Sequence, residues 1–112
     1  MKRAEIWTVA GGPDYAGKPR PAVILQDDVF EATASITVCP FTTYLVDAPL
    51  IRLPVDPTRQ NGLAVVSHVM VDKITTVAKS KLQKRLGKLA DEDMIRLGRA
   101  ALVFLGLAGR PA

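Results

Sequence analysis

The first 78 residues alternate between short apolar segments and clusters of turn residues. Six of the segments have the length and the β-branched content of strands. The predicted strands are Ala4–Val9, Ala22–Gln26, Ile36–Pro40, Leu50–Leu53, Leu63–Val66 and Val69–Val77. Glycine, proline and asparagine separate them, as in Gly11-Gly12-Pro13 and Gln60-Asn61-Gly62. These connections are too short for repeated parallel crossovers, so the pattern predicts a small, mostly antiparallel barrel or curled sheet.

After residue 78 the pattern changes. Residues 79–88, KSKLQKRLGK, form a basic run for which we expect a solvated surface. From Leu89 to Leu105, apolar residues recur at helical spacing behind an acidic start, Asp91 to Asp93, which predicts an amphipathic helix stopped by Gly106. The sequence therefore predicts a single α+β domain over residues 1–112, with the helix laid on a β-rich body.

Composition and charge narrow the class of protein. A chain of 112 residues with 48% hydrophobic and 23% charged residues is typical of an ordinary globular domain. The net charge of +4 is compatible with an anionic partner. The single cysteine, Cys39, lies in an apolar run and is expected to be a small buried hydrophobe in a reducing cytoplasm. No 18 apolar residues run together, so we expect neither a membrane span nor a secretion signal.

Arg20 stands between Pro19 and Pro21 at the mouth of a predicted strand. Both prolines restrict the backbone there, so the arginine leaves the chain in a limited range of directions. A guanidinium held in this way is a fork for a phosphate or a carboxylate. The alternative, which the local sequence alone favours, is a surface arginine that merely caps the strand.

Hydroxyl and imidazole groups supply few further candidates. Thr42 ends a predicted strand and can donate to a phosphate oxygen or orient a ribose hydroxyl, although a threonine here more often bonds its own backbone. His68 is the only histidine, which excludes a two-histidine acid–base mechanism. Its place in the alternating run from Val65 to Val71 favours a strand-face residue over a catalytic role. Scattered carboxylates with one histidine and one cysteine have no metal-ligand spacing, so we expect no metal and no cofactor.

Ordered segments across nearly the whole chain resemble one family. They are AEIWTV (4–9), RPAVILQDDVF (20–30), VCPFTT (38–43), NGLAVVSHVMVDKITT (61–76), KLQKRLGKLADEDM (81–94) and LVFLGL (102–107). In this order and spacing the chain resembles a MazF/PemK-type toxin, the ribonuclease half of a bacterial toxin–antitoxin pair. The resemblance implies a small SH3-like (CcdB/PemK-type) antiparallel β-barrel with a C-terminal amphipathic helix.

The resemblance also implies a site. It places the family's catalytic pair at Arg20 and Thr42, and it implies sequence-selective, metal-independent cleavage of single-stranded RNA, in which the ribose 2′-OH attacks the adjacent phosphorus. The candidate substrate-binding residues are Asp14, Tyr15, Lys18 and Thr43. Asp14 matches a family acid only after a one-residue shift near Pro19. Thr75 departs from the arginine or lysine of many relatives.

The expected partners follow from the same resemblance. We expect a homodimer in the bacterial cytoplasm and a cognate antitoxin that lays an acidic, partly disordered segment over the RNA groove. Two alternatives are a CcdB-like DNA gyrase poison and a non-catalytic SH3-like binding module. Gyrase poisons depend on their C-terminal residues and lack a matching arginine–threonine pair. This chain ends in Gly109-Arg110-Pro111-Ala112 and contains Arg20 and Thr42, which argues against that role.

Overall fold

Short β-strands and a C-terminal α-helix are the main elements of the fold. A computed structural model describes residues 1–11 and 18–109. The strands within these residues are β1 (Glu5–Val9), β2 (Arg20–Ile24), β3 (Ser35–Thr42), β4 (Arg52–Val55), β5 (Ser67–Met70), β6 (Thr75–Ala78) and β7 (Leu82–Lys88). One helix, α1 (Asp91–Phe104), follows them. None of the described helices is long and apolar enough to cross a membrane.

The strands pair in the order β4-β5-β3-β2-β1-β7, with β6 beside the first half of β3. Every pair is antiparallel. This confirms the predicted antiparallel fold with a single C-terminal helix. Strand pairing does not close a barrel in the described part of the chain, where β4 and β7 form the two edges. The loop after β4 does reach β7, since the Lys88 amide donates to the Gln60 carbonyl at 2.9 Å.

That loop packs tightly enough to require a glycine. Gly62 has a φ of +70°, and a Cβ there would lie 2.1 Å from the Leu86 carbonyl oxygen. The buried Asn61 side chain holds the loop from within, because its Oδ1 accepts from the Thr58 and Leu63 amides. The turn predicted at Gln60-Asn61-Gly62 is thereby confirmed.

The two faces of the sheet have different roles. One face, which we call the helix face, presents Val23, Cys39, Phe41 and Val69 to a core that includes Leu97 of α1. The other, which we call the open face, holds a smaller apolar cluster. Its buried members are Ala22, Ile24, Ile36, Val38 and Leu82. Successive residues of β2 and β3 alternate between these faces, as strand geometry requires.

Cys39 confirms the prediction of a small buried residue. It is fully buried on the helix face, and its thiol donates to the Met70 carbonyl at 3.2 Å. Burial, aided by the charge of Asp72, raises the pKa of the Cys39 thiol to about 12. The thiol is therefore protonated and serves packing.

Two of the predicted strands differ from the strands in the structure by more than their end residues. The segment Leu63–Val66 is not a strand, because Leu63 anchors the loop in the core while Val65 and Val66 are exposed. The segment Val69–Val77 is broken by a 3₁₀ turn at Val71–Lys73 into β5 and β6. Apolar content alone does not distinguish a strand from a buried turn.

The basic run at residues 79–88 contains a strand that was not predicted. After a 3₁₀ turn at Lys79–Lys81, residues Leu82–Lys88 form the edge strand β7 beside β1. Its lysines and arginine are exposed, so the expectation of a solvated surface is confirmed. The helix itself begins at Asp91 rather than Leu89.

Candidate active site

Arg20 is the first residue of β2 and not a residue in front of the strand. It pairs with Val9 of β1, which extends the strand two residues earlier than its apolar content predicts. Its side chain is half-buried and lies on the open face, two residues before Ala22. Backbone pairing and the adjoining prolines therefore act together to fix where the guanidinium leaves the sheet.

A cavity of about 520 Å³ lies beside Arg20 on the open face. Most of its wall is apolar. Its polar side chains are Arg20 at one border and, on the other side, Asp72 and Lys73 of the turn after β5 with Thr75 at the start of β6. The lining residues are Val9, Ala10, Arg20, Pro21, Ala22, Val38, Pro40, Asp72, Lys73, Ile74, Thr75 and Val77. The arginine thus stands at the border of an open, mainly apolar recess.

An ion pair holds the polar side of this cavity. Arg52 of β4 reaches Asp72 through both oxygens, with Nε–Oδ1 at 3.1 Å and Nη2–Oδ2 at 3.3 Å. Both side chains are largely buried, so this two-point contact is a firmer link than a surface ion pair. It fixes the 3₁₀ turn that contains Lys73 and precedes β6, and it neutralises the Asp72 carboxylate next to the site.

Thr42 lies on the same face as Arg20. The last pair between β2 and β3 is Ala22–Pro40, and the same register continued by two residues along each strand would bring Arg20 level with Thr42. The Thr42 hydroxyl oxygen accepts from the Tyr44 amide at 3.1 Å, which is the backbone bond that the local sequence favours. A hydroxyl that accepts one bond keeps its own O–H for donation. The backbone bond therefore orients the group without occupying its donor.

The other predicted site residues are less closely grouped. Thr43 follows the end of β3 and is exposed, and Lys18 is exposed two residues before Arg20. Asp14 and Tyr15 lie outside the described residues. Arg20 and Thr42 are thus the two predicted residues that stand on the same face, at the start of β2 and at the end of β3.

One neighbour was not predicted for the site. His68 of β5 is the direct cross-strand partner of Thr42, and Pro54 of β4 follows it on the far side. Thr42, His68 and Pro54 therefore form one transverse line, and Val9 and Arg20 form another at the neighbouring end of β2. The alternation around His68 identified a strand face, but a single sequence contains no signal for which strand lies beside it.

Metal-binding geometry does not appear in the described part of the chain. Across residues 1–11 and 18–109, no group of three or more His, Cys, Asp or Glu side chains is close enough to hold an ion. Arg20, Thr42 and His68 offer a guanidinium, a hydroxyl and an imidazole on the open face. Such a set can bind and neutralise an oxyanion such as a phosphate.

Comparisons with known proteins agree with this architecture. Residues 2–105 match the family described as PemK-like, MazF-like toxin of type II toxin-antitoxin system. The probable endoribonuclease MazF of Mycolicibacterium smegmatis is 56% identical over 109 residues, covering 97% of this chain and 100% of that protein.

Solved structures extend the similarity to three dimensions. The Mycobacterium tuberculosis toxin MazF-mt6 superposes with a TM-score of 0.78 at 27% identity, covering 92% of this chain and 97% of that one. A mycobacterial endoribonuclease in complex with its cognate antitoxin superposes with a TM-score of 0.81 at 22% identity, covering 99% of both chains, which supports the fold alone. Sequence match, strand order and terminal helix lead to one conclusion: the chain belongs to the PemK-like, MazF-like toxins of type II toxin–antitoxin systems.

Proposed function

We propose that this chain is a sequence-selective, metal-independent endoribonuclease toxin that cuts single-stranded RNA. The observation that carries the proposal is that Arg20 and Thr42 stand on one face of the sheet, at the neighbouring ends of the paired strands β2 and β3, with Arg20 at the border of the cavity. These are the two positions to which the family resemblance assigns catalysis. The name of the M. smegmatis relative, probable endoribonuclease MazF, supports the same activity.

The chemistry we propose needs few protein groups. The ribose 2′-oxygen forms a bond to the adjacent phosphorus as its proton passes to solvent. The bond from phosphorus to the 5′-oxygen then breaks, and that oxygen takes up a proton from solvent. The products are a 2′,3′-cyclic phosphate and a 5′-hydroxyl. Because RNA supplies the nucleophile, the protein mainly orients the phosphate and stabilises its developing charge. DNA lacks the 2′-OH and is not a substrate.

Arg20 and Thr42 have separate parts in this reaction. The Arg20 guanidinium is permanently charged and can donate two parallel hydrogen bonds to the phosphate oxygens. The Thr42 hydroxyl donates a third, from an orientation supported by its bond with the Tyr44 amide. Lys18, Asp14, Tyr15 and Thr43 are proposed to bind the flanking RNA, and a nucleotide next to the scissile phosphate is proposed to occupy the cavity.

Two protein partners complete the proposal. The first is a cognate antitoxin with an acidic, partly disordered segment, which suits the net charge of +4. The second is another copy of the chain, forming a homodimer in the bacterial cytoplasm. Apolar side chains in the last turn of α1 and directly after it are exposed and support such an interface. They are Leu102, Val103, Phe104, Leu105 and Leu107.

One pair of assays separates this function from its alternatives. The purified protein is incubated with cellular RNA in excess EDTA and, separately, with DNA gyrase in a supercoiling reaction. We expect RNA cleavage and unchanged supercoiling. Gyrase inhibition without RNA cleavage would support a CcdB-like poison, and inactivity in both assays would support a non-catalytic binding module.

A further inference from the structure

We propose that His68 is a third catalytic residue, which donates a hydrogen bond from its imidazole to the scissile phosphate. The proposal rests on the proposed function and adds a group that neither the family resemblance nor the comparisons assign. Its basis is the juxtaposition of His68 with Thr42 in the strand pairing.

The strand register places His68 within reach of the same phosphate as Thr42. Directly opposed residues of antiparallel strands have Cβ atoms about 4.5–5.5 Å apart and share a face. Arg20 stands one strand away from Thr42 on one side, and His68 stands one strand away on the other. A phosphate centred over Thr42 is therefore flanked by a guanidinium and an imidazole.

Burial separates the roles of the two ring nitrogens. His68 is half-buried, and its Nδ1 is fully buried without a hydrogen-bond partner among the described residues. A buried polar atom without a partner costs free energy that an apolar side chain at this position would not incur. Packing alone accounts for an apolar side chain on this strand face but does not account for a histidine. A function of the other ring nitrogen, Nε2, accounts for the histidine.

Nε2 is suited to hydrogen-bond donation rather than to proton transfer. It is the ring nitrogen further from the backbone, and in this proposal it faces an RNA phosphate on the open face. It carries an N–H both in the charged imidazole and in the neutral tautomer that leaves Nδ1 without a proton. In either state the N–H can donate to a phosphate oxygen and keep its proton. His68 thereby adds a third donor beside Arg20 and Thr42.

Two substitutions distinguish donation from packing and from proton transfer. His68→Leu removes the ring and keeps an apolar side chain, whereas His68→Gln keeps an N–H donor near the position of Nε2. On a short RNA that the wild type cuts, we expect His68→Leu to lower the single-turnover rate by about 10²-fold, the scale for losing one preorganised donor. We expect His68→Gln to stay within about tenfold of the wild type.

The outcomes separate this inference from the proposed function. Wild-type cleavage with loss of activity in Arg20→Ala, but an unchanged rate in folded His68→Leu, overturns the role of His68 alone. A folded His68→Gln variant as slow as His68→Leu overturns hydrogen-bond donation. An inactive wild type overturns the proposed function and this inference together. Circular dichroism and melting curves establish folding.

A measurement on the unmodified protein covers the case in which His68→Leu does not fold. Because His68 is the only histidine, selective ¹⁵N-histidine labelling gives a single pair of ring-nitrogen signals. Adding an RNA oligonucleotide with 2′-hydrogen at the scissile nucleotide should shift the Nε2 signal more than the Nδ1 signal. An unchanged Nε2 signal with the oligonucleotide bound overturns the proposal.

Discussion

The residues around Arg20 limit the direction in which its side chain leaves the backbone. Pro19 and Pro21 limit its backbone, and pairing with Val9 places it on the open face beside the cavity. Arg20→Ala should lower RNA cleavage by about 10²–10³-fold, since it removes a preorganised donor, and should leave the fold intact. Arg20→Lys should also be poor, because an ammonium cannot reproduce the two-point fork. The measurement is turnover on a short RNA.

The control for both Arg20 variants is the far-ultraviolet circular dichroism spectrum together with the melting curve. A folded Arg20→Ala protein that cuts RNA at the wild-type rate would show that the site has been misplaced.

Thr42 and Thr43 form a matched pair for testing the register. Thr42 ends β3 on the open face and is half-buried, whereas Thr43 follows it and is exposed. Thr42→Val should therefore reduce turnover strongly, and Thr43→Val should reduce it mildly. Valine has nearly the shape of threonine, so each substitution isolates the hydroxyl. Losing either hydroxyl should cost at most about 1 kcal/mol of stability.

The comparison uses one RNA substrate for both threonine variants, with melting curves as the control. Equal losses of activity would mean that the chain bends so that both hydroxyls face the RNA. A greater loss from Thr43→Val would place the reacting hydroxyl one residue later.

At the scale of elements, an ion pair links the edge strand β7 to β1. Glu5 Oε1 accepts from the Lys2 amide at 2.9 Å and from Trp7 Nε1 at 3.0 Å, and Oε2 accepts from Arg85 Nε at 3.1 Å. Burial opposes ionisation of this carboxyl, but the three donors outweigh it and lower the pKa of Glu5 to about 2. The ionised carboxylate is thus favoured by the folded state.

Glu5 therefore makes stability depend on pH in the acid range. Its contribution is present above its ordinary pKa of about 4.5 and is lost as the pH falls toward 2. Glu5→Gln should lower the free energy of unfolding by about 1–2 kcal/mol at pH 7, allowing for solvent screening of the half-exposed Arg85. The difference from the wild type should vanish near pH 2. Urea unfolding can be followed by Trp7, the only tryptophan.

Glu31→Gln is the matched control for this measurement. It removes an exposed ion pair with Lys2 and should change stability less. A stability difference between Glu5→Gln and the wild type that stayed constant from pH 7 to pH 2 would contradict the assigned role of the Glu5 carboxylate.

The elements show where sequence reasoning succeeded and where it failed. Strands with alternating or β-branched apolar residues, such as β1 and β3, were predicted within two residues, and so was α1. Strand β7 was missed because Lys84, Arg85 and Lys88 give an edge strand the composition of a loop, and its pairing with β1 depends on residues about 80 positions away. Leu63–Val66 was wrongly predicted because one buried leucine suffices to anchor a loop.

The candidate site, like the fold, could be predicted only where the signal lies in neighbouring residues of the sequence. The prolines around Arg20 and the abrupt polar end of β3 made Arg20 and Thr42 candidates, but the local sequence favoured a structural role for both, and the family resemblance assigned them to catalysis. The position of His68 beside Thr42 depends on which strand pairs with β3, and that choice is made by tertiary packing. The cavity likewise requires β2, β3 and the turn before β6 together, which no local pattern encodes.

At the scale of the whole molecule, the exposed apolar end of α1 predicts self-association. Light scattering at micromolar concentration should give about twice the chain mass of 12.1 kDa. Val103→Glu, at a position 56% exposed on α1, should shift the mass toward the monomer because it places a charge in the interface. Val29→Glu is the matched control, since Val29 is 78% exposed in the 3₁₀ turn Asp28–Phe30, outside α1. A wild-type mass near 12.1 kDa would contradict the dimer.

The central claim concerns the reaction, and the ends of the RNA products test it most directly. A short RNA cut in excess EDTA should yield an upstream fragment ending in a 2′,3′-cyclic phosphate and a downstream fragment beginning with a 5′-hydroxyl. The same RNA with hydrogen in place of the 2′-OH at the scissile nucleotide should remain intact, because the nucleophile is gone. Mass spectrometry of the fragments identifies both ends. A requirement for Mg²⁺, or a 5′-phosphate on the downstream fragment, would contradict the account.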